Sequence, residues 1–224
     1  MGGVRRSATR SRDRLLIHPA FADVLAMSMN GKLRRVTAED LDLLRQNEDA
    51  LMSVVGSSGG TDLAGAISGM PWYTRWIFRL VVRASPGSDD DDGDVTIAAG
   101  EVLDLHKSWH GLHWLICQDA WEGPVPLRYA LFGGDEVGED LGYGSAQVSP
   151  PARVGQVAAA LNALDAGIVL ARYDGRRMDE LDIYPGGWGN DRSWRGDMQR
   201  DFGRLRDFYR RASSAGDGVV TWLE

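Results

Sequence analysis

His106, His110, His113 and Cys117 follow one another at i, i+4, i+7 and i+11. At 3.6 residues per turn those positions share one side of a helix. Two imidazoles a turn apart make good zinc geometry, and a thiolate one turn on would add a ligand. The same rings suit acid–base chemistry, because an unperturbed histidine titrates near neutral pH. Two features weigh against both uses. No H-E-x-x-H arrangement occurs, and no acid sits on the stripe to orient an imidazole. A carboxylate must come from Asp135, Glu136, Glu139 or Asp182, all elsewhere in the chain. Histidines at a core edge more often serve hydrogen bonding, so these four side chains are weak metal candidates.

The elements that must hold them are read as follows. Residues 101–117 have the period of a buried helix, with Val102, Leu105, Trp109, Leu112 and Ile116 on one apolar face. Asp104 and Lys107 point away from it. A cleft is expected along the polar margin of this rod. Trp109, His110, His113, Tyr184 and Trp188 would wall it, with Asp182 close by. The glycine-rich stretch 133–144 would cover it and bring Asp135, Glu136 and Tyr143. Tyr184 and Trp188 lie in the turn YPGGWG. Aromatics on a turn line a cleft or plug a core edge, and the plug is the commoner case.

Around that centre the chain reads as a mixed α+β fold. Residues 31–36 form a strand, and Thr37 with an acid three residues on caps a helix that runs to residue 55. Residues 56–60 match G-x-S-x-G, but a nucleophile elbow needs a strand before it, so they read as a linker. Residues 71–84 read as an aromatic-rich core helix with arginines on its solvated side. The aspartate run near 86–94 reads as a solvated acidic loop without the spacing of a calcium site. Residues 126–132 form a short helix or strand, and 133–144 a connection. Ser149 caps a helix that starts at Pro150 or Pro151. A helical turn follows at 169–173, then a long helix over 192–215 stopped by Gly216, then a strand over 218–223.

The 224 residues fit one domain over 27–224 behind an arginine-rich extension, 1–26, that reads as disordered or as a start codon placed too early. The 32 acidic against 25 basic residues give a net charge of -7. That balance argues against nucleic acid or an anionic membrane as partner and suits a basic protein surface. One cysteine forms no internal disulfide, so a cytoplasmic setting is expected. No apolar run reaches the ~18 residues of a membrane span. Nothing in the sequence calls for a cofactor.

A set of motifs in the later half carries a resemblance. They are Leu103-Asp104-Leu105 with Lys107-Ser108-Trp109-His110-Gly111-Leu112-His113, Ala130-Leu131 with Gly133-Gly134 and Glu136, Gly142-Tyr143-Gly144, Asp182-Ile183-Tyr184-Pro185-Gly186, and Tyr209-Arg210-Arg211 before a strand. Together they resemble the YfbM-like family of bacterial domains of unknown function. His106 departs from that pattern, where an acid is expected. The resemblance implies a compact three-layer, helix-rich α/β arrangement with a small sheet flanked by helices. It implies no activity. The acidic charge and the lack of a complete catalytic signature favour a non-catalytic binding protein, by analogy an immunity-type one. The alternative is a metal-dependent or small-molecule-binding enzyme built on the His106, His110 and His113 stripe.

Overall fold

Gly218–Leu223 is rich in β-branched residues and forms β5, the middle strand of a five-stranded antiparallel sheet. The structure is a computed structural model that describes residues 29–56, 97, 100–190 and 193–224. In it β5 pairs on one side with β1 (Gly31–Val36) and on the other with β4 (Ser145–Ser149). β2 (Val102–Asp104) completes one edge and β3 (Asp135–Asp140) the other, giving the order β2-β1-β5-β4-β3. The pairs Leu33↔Thr221, Gln147↔Thr221 and Glu136↔Gln147 define one row across the sheet, on one face.

Helices cover both faces. Leu41 and Leu44 of α1 (Ala38–Gln46) and Leu51 and Val54 of α2 (Glu48–Gly56) pack on Val36, Val148, Val220 and Trp222. Leu33 and Val219 face the opposite way. They meet Trp109 and Leu112 of α3 (Trp109–Cys117), Val157 and Leu161 of α4 (Pro151–Ala163), and Phe202 and Phe208 of α7 (Ser193–Ala215). The short helices α5 (Ala166–Ala171) and α6 (Gly175–Glu180) lie in the same layer, each capped at its N-terminus by an aspartate, Asp165 and Asp174. The expected mixed α+β, three-layer fold is therefore present.

Four local differences from the expected elements have physical causes. The rod expected over 101–117 is helical only from Trp109. Its first part is β2, whose Lys32↔Asp104 pairing with β1 outweighs the helical period. Asp104 Oδ1 then accepts from His106 N–H at 2.7 Å and turns the chain at a residue with φ +46°. The single helix expected to residue 55 is broken at Asn47, whose extended backbone ends α1 while its Oδ1 accepts from Ala50 N–H at 3.4 Å in α2. The connection expected over 133–144 contains β3, and Ser149 is the last residue of β4, with Pro150 at the helix cap. Residues 1–26, 57–60, 71–84 and 86–94 lie outside the described residues. Among the described residues no helix is long and apolar enough to cross a membrane.

Candidate functional site

All nine residues of α3 are buried, so its histidines have no wet margin along the helix. They are used by the chain that follows. Gln118 takes a left-handed conformation, φ +59°, and ends the helix. Arg172 donates to the last free carbonyls, Leu115 O at 2.8 Å and Ile116 O at 3.0 Å. Asp119 Oδ1 accepts from Trp121 N–H at 3.0 Å and Glu122 N–H at 2.8 Å, which folds the next residues back on the helix. His110 Nε2–H donates to Ala120 O at 2.8 Å, and His113 Nε2–H donates to Glu122 O at 2.9 Å. His110 Nδ1 accepts from Tyr184 N–H at 3.0 Å. Both His110 nitrogens are thus engaged, and its neutral Nε2–H tautomer is the one the geometry requires.

Electrostatics agree with that role. Burial lowers the His110 pKa, and burial pushes His113 down to about 4 against the help of its carbonyl partner. Burial also pushes the Cys117 thiol up to about 11, so the reactive thiolate is disfavoured. The amides of Glu122 and Trp121 hold the Asp119 carboxyl below its usual range. What these groups hold in place is Trp121. Its ring lies 4.3 Å from the His110 ring and 5.6 Å from Phe132, yet the residue is 57% exposed.

Trp121 lines a cleft of about 200 Å³ together with residues of β3, β4 and β5. Phe132 and Tyr143 supply further rings, and Gln147 and Thr221 form its floor along the row described above, while the Trp222 ring packs on the opposite face under α1 and α2. Glu136 is the only charged side chain among the described lining residues.

A family model for a domain of unknown function, DUF1877, matches residues 27–222. The chain belongs to this family. A similar fold is found in the crystal structure of YfbM from Escherichia coli, a protein of unknown function. The TM-score is 0.57, the identity 17%, and the match covers 87% of this chain and 99% of that one. At such identity the likeness concerns the fold alone. No curated protein matches the chain.

In this DUF1877 domain the residues singled out from sequence fall into three groups. Trp109, His110 and Tyr184 come together in one stack: the Trp109 ring lies 4.9 Å from His110 and 5.8 Å from Tyr184, and the Tyr184 hydroxyl accepts from Met29 N–H at 2.9 Å. His113 borders the stack through Phe132, 4.6 Å away. Glu136 and Tyr143 line the cleft. The remainder are apart from it. Asp135 pairs with Arg153 at 3.0 Å and Arg45 at 3.5 Å. Asp182 occupies a left-handed turn position, φ +54°. Trp188 is a plug: 1% exposed, it donates from Nε1 to Ile183 O at 2.7 Å.

His106 is exposed, beside Asp104 at 3.3 Å, and is not on α3 with His110, His113 and Cys117. Among the described residues no three His, Cys, Asp or Glu side chains converge as metal ligands. Sequence reading missed Trp121 and Phe132. The signal for Trp121 was present: a lone indole two residues after an aspartate in a turn-rich connector, where no helical or strand period assigns it to the core.

Proposed function

We propose that the protein is a non-catalytic interaction domain of the cytoplasm that captures a basic protein surface at the Trp121 cleft. One observation carries the reading: an indole in tilted contact with a neutral imidazole, yet more than half exposed, beside a cleft whose described charge is a single carboxylate. Fixed, exposed aromatics mark binding surfaces, because their apolar area is hidden from water only when a partner arrives. Val125, in the same connector, is a second exposed apolar side chain at 62%. The groups that would serve catalysis are engaged or quenched: His110 on both nitrogens, His113 as a neutral donor, Cys117 as a buried thiol. An immunity-type role, in which the partner is a toxin, fits the same chemistry by analogy.

The test is affinity capture from native cells with the full chain and its Trp121→Ala variant. A basic protein retained in stoichiometric amount by the first and lost by the second is expected. No stoichiometric partner, or one retained equally by both, ends the reading.

A further inference from the structure

We infer that the cleft is the seat of a single arginine side chain presented by the partner, its guanidinium plane on the Trp121 indole and its charge on the Glu136 carboxylate. This rests on the proposed function and names the ligand chemistry. Size comes first. About 200 Å³ is below the roughly 300–1,000 Å³ of sites for drug-sized molecules, so one side chain suits the space and a cofactor does not.

Charge comes second. Three aromatic rings, Trp121, Phe132 and Tyr143, line the cleft with one carboxylate, and the described lining holds no Lys, Arg or His to repel a cation. Two other acids of the strand are occupied, Asp135 by Arg45 and Arg153, and Asp140 by the amides of Gly142 and Gly144 at 2.7 and 2.9 Å, and Glu139 does not line the cleft. Among the described residues Glu136 has no such ion pair.

Shape comes third. A guanidinium is planar and weakly hydrated, stacks on an aromatic face and meets a carboxylate with two N–H groups, whereas an ammonium does neither as well. Beside the indole, His110 spends both nitrogens on backbone groups, so its ring adds no positive charge next to the incoming cation.

The experiment titrates the full-length protein with a blocked Gly-Arg-Gly tripeptide and with its Gly-Lys-Gly counterpart. The readout is the Trp121 indole N–H resonance, identified by its loss in Trp121→Phe. The arginine probe should shift that resonance, bind at least several-fold tighter than the lysine probe, and weaken on the order of tenfold in Glu136→Gln. Equal binding of the two probes, no shift with either, or no effect of Glu136→Gln overturns the assignment. Thermal unfolding of each variant confirms that the sheet is intact. The two ideas fail separately: a captured partner with no arginine preference removes only the seat, while an arginine-selective cleft with no captured partner removes only the interaction role.

Two other occupants are outcomes of the same design. A full chain with Arg5, Arg6, Arg10, Arg12 and Arg14 all changed to glutamine, whose Trp121 resonance moves without any probe, places the protein's own arginines in the cleft. Concentration-dependent dimerisation abolished by Trp121→Ala places a second copy there. Either result overturns the external partner.

Discussion

His113 shows how a residue suited to chemistry becomes a fastener. Its proton is spent on Glu122 O, and its neutral form is the folded form. His113→Ala leaves that buried carbonyl without its donor and should cost about 1–3 kcal/mol in urea unfolding. The pH dependence has a definite sign. The folded pKa of about 4 lies below the ordinary 6.5, so the unfolded chain takes the proton first as pH falls. The histidine's contribution is complete above 6.5 and is lost between 6.5 and 4, on the order of 3 kcal/mol over that range. Unfolding measured at pH 7.5 and at pH 4.5 should differ less in His113→Ala than in the parent. Cys117, with its pKa near 11, should resist alkylation at pH 7.5 until the protein is unfolded.

At the scale of elements, α3 fits under the YPGGWG turn only because Gly111 has no side chain. A Cβ there would stand 2.4 Å from Trp188 Cη2, so Gly111→Ala should destabilise by about 1–3 kcal/mol, read by thermal unfolding. The sequence made some elements plain and hid others. β1 and β5 carry β-branched or capped boundaries, and α7 has a long inner row of Met198, Phe202, Leu205, Phe208 and Tyr209, so each was legible. β3 was not: as an edge strand it is mostly exposed and acidic, and it lacks the alternation that marks a half-buried strand. β2 was masked by a helical spacing of Val102, Leu105 and Trp109, which only pairing with β1 overrides. The histidine stripe is expected at a polar margin of one helix; His106 lies before the helix, and the partners of His110 and His113 are backbone groups, which no residue pattern displays.

For the molecule as a whole, the sheet is a wall between two separate apolar clusters, one under α1 and α2 and one under α3, α4 and α7. The cleft lies where the second layer stops short of β3 and β4. Trp121→Ala gives up ring contacts with His110 and Phe132 and should cost about 1 kcal/mol, read by thermal unfolding, while removing partner capture. The arrangement also carries a timing rule for biosynthesis. β1 is made well before β5, yet they are neighbours, and Asn30 and Glu224 close the pair with N–H to O distances of 2.7 and 3.1 Å. Residue 223 must emerge from the ribosome before either cluster has its wall. Chains stalled at residue 215 should be cut readily by protease, and chains carried past 224 on a long unstructured extension should survive. Until β5 emerges, the early strand is an open template for pairing with other chains.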